Sequence, residues 1–354
     1  MTDFEKKSFS ENDINEFIQL SKSEYHTIPK MNDPKFIKWK LISNPKGKSY
    51  YFYFKVKDNI AGRILSAHYP GRLAIGNYLF NSFWLSDLFI QKEHRQLSNL
   101  KSLYTKCLDE TEGVIFHSSN KNSEKFYTKI LQEKIFFNLI SCGIPLSLCP
   151  LKKYKFFGKF FYWMFIKPFI LHMLLLNKIF KLFKNLNIEH YKSIFFDDDI
   201  NKITDQNLKN GESFFFKDES FFKWRYEMYE NVHLLKMFKS KKFIGYICLI
   251  ETKVLGLKNM ILSDFQFTGK LSFFDKLKIK FKIVEISLKQ KCDTLYSIGN
   301  QRNYMYKNIL GYPFFKLPDS ILPHSSPIFI HNIPNEHSEK MKDINFTISD
   351  FDYF

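Results

Sequence analysis

The stretch Val114–Glu133 reads VIFHSSNKNSEKFYTKILQE. Three apolar residues, a turn rich in Ser and Asn, then Phe126, Tyr127, Ile130 and Leu131 at helical spacing predict a short buried strand that enters a helix through a polar turn. Half a chain later, Thr294–Tyr312 reads TLYSIGNQRNYMYKNILGY, with the same strand, Asn-bearing turn and helix. Tyr306-Lys-Asn-Ile-Leu answers Tyr127-Thr-Lys-Ile-Leu. The echo extends upstream. Phe36-Ile-Lys-Trp39-Lys matches Phe221-Phe-Lys-Trp224-Arg, Ile60-Ala-Gly62-Arg-Ile matches Phe243-Ile-Gly245-Tyr-Ile, and Ser86-Asp87 matches Ser263-Asp264. Four matched blocks in one order read as two copies of one α/β unit. Trp39 and Trp224, in equivalent places, read as packing anchors.

The length of 354 residues is enough for two such units, each with its own core. The formal net charge of +17 directs the chain towards anionic partners without choosing among membranes, nucleotides and nucleic acid. Five scattered cysteines, without metal-ligand spacing, predict reduced thiols in a cytosolic protein. The N-terminus MTDFEKK has no apolar stretch of the signal-peptide kind, so none is expected. There is no P-loop, dinucleotide-binding glycine fingerprint, Gly-x-Ser-x-Gly or zinc pattern, and Asp197–Asp199 reads as a solvated turn.

In chain order, residues 1–30 are polar with one short helix at Glu11–Ser21, followed by a second at Phe36–Ile42. Tyr50–Val56, Ile60–Ala67, Leu73–Phe80 and Phe83–Ile90 read as strands, with turns at Lys57-Asp58-Asn59 and Pro70-Gly71. Leu97, Leu100, Tyr104 and Cys107 then share a helix face. In the second half the expected strands are Leu234–Phe238, Lys242–Ile250, Met260–Phe267, Thr294–Ile298 and Ser326–His331. Phe274, Leu277, Phe281, Val284 and Leu288 predict a helix. Residues 134–188 contain no acidic residue. From Lys152 to Lys184 the lysines fall on one helical face of an otherwise aromatic and aliphatic stretch, interrupted by Lys167-Pro168. This predicts a basic amphipathic helix pair, bent at Pro168, that lies on a membrane surface or packs between the units rather than spanning a bilayer. The expected division is 1–145, a helical insert 146–190, 191–333, and a polar, peripheral tail 334–354.

Strand–turn–strand, a strand entering a helix, then strand, Asn turn and Tyr-x-x-Ile-Leu resemble the Gcn5-related N-acetyltransferase (GNAT) superfamily, in a two-copy arrangement similar to tandem GNAT proteins. These include bacterial cell-envelope and surface-glycan acyltransferases and the Fem-type aminoacyl transferases. The resemblance covers about Lys35–Ile140 and Phe221–Ile330. It implies an α/β (α+β) fold of two tandem units, each a mixed, mostly antiparallel twisted sheet flanked by helices. In such proteins a strand-to-helix turn of the form Arg/Gln-x-x-Gly-x-Gly/Ala offers backbone N–H groups to the pyrophosphate of acyl-CoA. Here it falls on Arg95-Gln96-Leu97-Ser98-Asn99-Leu100, with Ser98 and Leu100 at the glycine positions. The implied cofactor residues are Ile90, Arg95, Ser98, Asn99, Asn120 and Asn122, and the first unit is the expected site. The implied catalytic residues are Tyr127, or Tyr306 in the repeat, as acid, and Asp87 or Glu93, with Asp264 in the repeat, as base. His117 is a further candidate beside the Asn turn. The resemblance implies acetyl-CoA or another acyl-CoA as co-substrate, no metal, and an amine-bearing small molecule or glycan precursor as acceptor. Together with the basic insert it leads to an expected N-acyl transfer, acetyl transfer to an amino sugar or related envelope-glycan precursor, at the cytoplasmic membrane face. Alternatives are Fem-like transfer from aminoacyl-tRNA and a tandem scaffold without catalysis.

Overall fold

The computed structural model describes residues 4–22, 29–119, 123–180, 185–254, 256–300, 302–309, 314–316 and 326–350. The first half supplies β1 (Phe4–Ser8), β2 (Tyr50–Val56), β3 (Asn59–Ile75), β4 (Tyr78–Ile90), β5 (Val114–Ser118) and β6 (Phe137–Pro145). The second supplies β7 (Leu186–Tyr191), β8 (Ser213–Phe215), β9 (Val232–Lys239), β10 (Lys242–Val254), β11 (Leu257–Phe267), β12 (Thr294–Asn300), β13 (Phe315–Lys316) and β14 (Ser326–His331). They form one sheet in the order β1-β2-β3-β4-β5-β14-β6-β12-β11-β10-β9-β7, with β8 on β3 and β13 on β6. Only β4–β5 and β11–β12 are parallel among these pairs. This is the mixed, mostly antiparallel character that the resemblance implies, in one shared sheet where it implies one for each unit.

The halves trade their last strands. β6 pairs with β12, and β14 pairs with β5, Ile328–His331 running against Ile115–Ser118. The sheet is therefore continuous from one half to the other. A local two-fold relation shows between the helices Pro34–Leu41 and Glu219–Tyr226. The Trp39 indole donates to the Trp224 carbonyl at 2.8 Å, the Trp224 indole donates to the Trp39 carbonyl at 2.9 Å, and the rings stack at 5.2 Å. Each buried indole N–H is thus satisfied by the other copy. The hairpin turns Lys57-Asp58 and Ser240-Lys241 repeat as well, both residues of each having positive φ, as a two-residue primed turn needs.

Several expectations change. β1, β7 and β8 were not foreseen, being short or at the edges. Pro70-Gly71 is not a hairpin turn. The ladder slips there inside β3, and the chain reverses at Gly76-Asn77, where Gly76 has φ +60°. The segment Phe273–Lys289 is a helix, as its 3,4 spacing predicts. Asp197 is no idle turn residue. It caps the helix Asp198–Lys209 by accepting from the Ile200 N–H and pairs with Lys236 at 2.7 Å.

The insert is a single helical rod. Lys155–Phe161 continues through a wider π-turn at Tyr162–Ile166 into Lys167–Phe180. Pro168 has no N–H to donate and its ring crowds the preceding turn; the extra residue of the π-turn, just before it, makes room. The expected break at Pro168 is therefore absorbed, and Lys155–Ile179 is long and apolar enough to cross a membrane. Ile166, Ile170, Met173 and Asn177 form the inner stripe against the helix Phe273–Lys289, where Asn177 donates to Glu285 at 2.9 Å. Phe156, Phe157, Trp163, Met164, Leu171 and Leu175 face outward, as do Lys155, Lys159 and Lys178.

At the far edge His190 Nε2 lies 3.1 Å from His233 Nδ1, and His233 Nε2 lies 3.2 Å from Glu251. Burial, then His233 and nearby Lys282, Lys192 and Lys289, push His190 down to about 4 from its ordinary 6.5. Between these values the unfolded chain binds a proton that the folded chain refuses, so stability falls as pH drops from about 6.5 to about 4. In urea titrations across that window, His190→Gln is expected to show a shallower decline than the parent; equal slopes would show that His190 does not drive it.

Candidate active site

β4 and β5 pair only at Ser82–Val114, Phe83–Ile115 and Trp84–Phe116. Beyond Trp84 the β3–β4 ladder slips at Asp87, which takes φ +55°, and β5 is drawn away by its partner β14. The strands therefore splay, leaving a wedge with Leu85–Ile90 on one lip and His117–Ser118 on the other. Because the strands are parallel, it opens at their carboxyl ends, where the helix Leu97–Glu110 begins.

That helix start suits an anion. No side chain among the described residues caps it, no acidic residue occupies its first turn, and Leu97 and Ser98 are exposed. Leu100, bulky at a glycine position, packs against the cluster of Phe52, Phe54 and Leu103 under the helix, so it leaves the N–H groups of the first turn open. Arg95 Nε donates to the Ile90 carbonyl at 2.8 Å, and Asn99 donates to the His94 carbonyl at 3.1 Å. Ile90, Arg95, Ser98 and Asn99 thus gather at one helix mouth. Asn120 and Asn122 lie outside the described residues.

Asp87 stands at the slip itself, held by Lys40 at 3.3 Å and by the Ser86 hydroxyl at 3.0 Å. Beside it, a small cleft is lined by Trp39, Lys40, Trp84, Ser86, Trp224 and Arg225. Glu93 is exposed on the turn Lys92–His94. Tyr127 is buried, on a single turn of π-helix at Phe126–Ile130, and its ring packs on His117 at 4.5 Å and Phe329 at 5.4 Å. Burial, reinforced by Glu133, raises its phenol above the usual value, so it keeps its proton at neutral pH.

Around His117 lies a group that no sequence spacing announced. The Tyr104 hydroxyl is 2.8 Å from His117 Nε2 and 3.1 Å from His331 Nε2, and Glu133 Oε2 is 3.1 and 3.4 Å from the same two nitrogens. Burial alone would raise the Glu133 carboxyl, but hydrogen bonds from His117, His331 and Tyr104 bring it down to about 2. Burial also lowers His117, against the raising effect of its hydrogen bond with Glu133. The one hint in the sequence was that His117 and His331 both end predicted strands.

The repeated wedge, between β11 and β12, carries the same ladder slip next to Asp264, but it is closed. The tail bridges its lips. Asn345 donates to the Phe265 carbonyl at 3.2 Å, and Asn300 donates to the carbonyls of Lys342 and Ile344 at 2.9 and 3.2 Å. Asp264 is fully buried with Lys217 at 2.7 Å, and Lys217 lies 2.7 Å from Asp350 of the tail. The expected base of the second half is thus part of a core ion cluster. Its helix start is also taken, since Ser272 and Asp275 form a capping box. Tyr306 is fully buried, its hydroxyl 3.0 Å from the Ile140 carbonyl and 3.2 Å from the Ser297 carbonyl. It ties β6 to β12 and faces no cleft. The tail is therefore buried, not peripheral: Met341, Ile344 and Phe346 join the central core.

No protein-family model and no curated protein matches the chain. Solved structures do. A GCN5-related N-acetyltransferase from Anabaena variabilis superposes with a TM-score of 0.57 at 10% identity, over 93% of this chain and 72% of its own. A tandem GNAT protein from the clavulanic acid biosynthesis pathway gives 0.54 at 7% identity, over 93% and 98%. Saccharomyces cerevisiae N-myristoyltransferase with bound myristoyl-CoA gives 0.51 at 10%, over 92% and 82%. With its two wedges, their ladder slips and its continuous sheet, the chain has the fold of the GCN5-related N-acetyltransferases in tandem form.

Proposed function

We propose that the chain transfers an acyl group from an acyl-CoA to an amine, with the cofactor in the first wedge. The observation that carries this is the asymmetry between the repeats: among the described residues the first wedge is open above an uncapped helix start, and the second is filled by the chain's own tail. In the first, the N–H groups of Leu97 to Asn99 and the Arg95 guanidinium offer a positive field to a pyrophosphate. The unpaired edge of β4 beyond Trp84 offers backbone groups to an extended, amide-containing arm. Tyr127, which holds its proton, is the acid for a departing thiolate, and Asp87 is placed at the slip as the acceptor-side carboxylate.

The acceptor we favour is an amino sugar or similar envelope-glycan precursor at the cytoplasmic membrane face. The support is the outward side of the insert, where Phe156, Phe157, Trp163 and Leu171 stand beside exposed lysines, and where Phe273 and Phe274 are exposed as well. Such a face suits the boundary between headgroups and acyl chains. The aminoacyl-tRNA reading finds one rod at residues 155–180, not a helical hairpin.

Thermal stabilisation by CoA, acetyl-CoA and longer acyl-CoAs tests the cofactor. Ser98→Asp is the sharper variant, because a carboxylate in the first turn favours the helix yet repels a phosphate at its start. We expect acyl-CoA to raise the Tm of the parent and to bind Ser98→Asp at least about 10-fold more weakly, with folding unchanged; two repelling charges at this separation are worth about 1–2 kcal/mol. No shift with any CoA species, or an undiminished one in Ser98→Asp, sinks the assignment. Tyr127→Phe is then expected to lower turnover by about 100-fold while acyl-CoA still binds.

A further inference from the structure

His117 is the last residue but one of β5, His331 ends β14, and Glu133 lies on the stretch between Tyr127 and β6. Two segments 16 residues apart and a third more than 190 residues further on thus aim one nitrogen, one carboxylate oxygen and one nitrogen at a common point. The Nε2 atoms of the two histidines are 3.2 Å apart, with the rings stacked at 7°. The three edges of the triangle they form with Glu133 Oε2 are 3.1, 3.2 and 3.4 Å. A tetrahedral zinc with ligands at about 2.0–2.2 Å has ligand–ligand edges of about 3.3–3.6 Å. The Tyr104 hydroxyl, 2.8 and 3.1 Å from the two nitrogens, stands over the same triangle where a fourth ligand belongs. Two imidazoles aiming the same nitrogen at one point 3.2 Å apart is an arrangement that a shared cation explains more simply than protons do.

We propose that His117, His331 and Glu133 bind a divalent transition ion of the zinc type, with Tyr104 closing the fourth position, and that the ion pins the exchanged strand β14 to β5. Two imidazoles and one carboxylate favour zinc and its neighbours over magnesium or calcium, which prefer oxygen ligands. His117 and Glu133 are nearly enclosed, and the Tyr104 ring packs edge-on against both histidines, so among the described residues the site meets solvent only along His331. The site is a structural clasp behind the wedge lip at His117, which it holds away from β4.

The test uses the full chain, stripped with a chelator and dialysed. Elemental analysis after adding Zn²⁺ and desalting is expected to give about one zinc per chain, with a rise in Tm that Mg²⁺ does not reproduce. Co²⁺ is expected to give the visible absorption of a four-coordinate site. His331→Ala, the more exposed ligand, and the near-isosteric Glu133→Gln are expected to weaken zinc by at least about 100-fold, the upper end of the cost of losing an outer-shell partner alone. Both are also expected to lose the zinc-dependent rise in Tm. A stripped parent that takes up no zinc and gains no Tm overturns the proposal in favour of a proton-shared network. Folded His331→Ala and Glu133→Gln proteins that hold zinc as tightly as the parent overturn the ligand assignment.

Discussion

Truncation after Ile333 is expected to leave no cooperatively folded protein. Met341, Ile344 and Phe346 are fully buried in the central cluster, where Phe346 packs on Trp84, Phe116, Phe137 and Phe215. Emptying one large apolar site costs about 2–5 kcal/mol, so three exceed or exhaust the roughly 5–15 kcal/mol by which domains are stable. The cut also exposes the second wedge and leaves Asp264 and Lys217 without the hydroxyls and carboxylate of Thr347, Ser349 and Asp350. The measurement is urea unfolding by far-ultraviolet circular dichroism beside the full chain. A truncated protein with the parent's midpoint would mean that the tail is an accessory.

The second large effect is at Lys217. Its ammonium is enclosed by Asp264, Asp350 and Ser349 at 2.7, 2.7 and 2.8 Å, while Asp264 also receives the Tyr246 hydroxyl at 3.1 Å. Burial holds Asp350 up at about 6 even with this cation present; Lys217 lowers it and Asp264 raises it. Lys217→Met keeps the apolar stem and removes the charge, leaving two buried carboxylates face to face. The expected loss is about 3–5 kcal/mol at neutral pH. The pH dependence carries the signature. Asp350, whose folded value lies above the unfolded value near 3.9, favours the folded state when protonated, so Lys217→Met is expected to regain stability as pH falls from 7 towards 4. A loss that stays constant over that range would point to packing instead of charge.

The legible parts of this protein are those written locally. Tyr127-Thr-Lys-Ile-Leu and its echo, the paired tryptophans and the Ser-Asp blocks each lie within a single strand or helix, and alternation or helical spacing reveals them. Arg95, Ser98 and Asn99 gather because they lie on one turn. Strand partners are another matter. Nothing in the alternation of Val114–Ser118 says that it pairs with Ile328–His331 and not with its own unit's last strand, so the exchange and the His117–His331–Glu133 group were hidden together. The tail misled for a different reason. Its buried Asn345, Thr347, Ser349 and Asp350 are polar in composition, yet they satisfy groups that the splayed second repeat leaves unpaired. The leucine at a glycine position looked like an obstacle only until its direction was known.

The traded strands also set a timetable for synthesis. When β5 leaves the ribosome, the strand that will cover it, residues 326–331, has yet to be made. Until then the nascent chain presents a bare edge beside an aromatic surface, and contacts between such distant segments form slowly. The first half therefore cannot finish folding as an independent unit during translation. Slowing elongation would lengthen the exposed interval without completing the sheet, and a chain released early would carry its adhesive edge into solution.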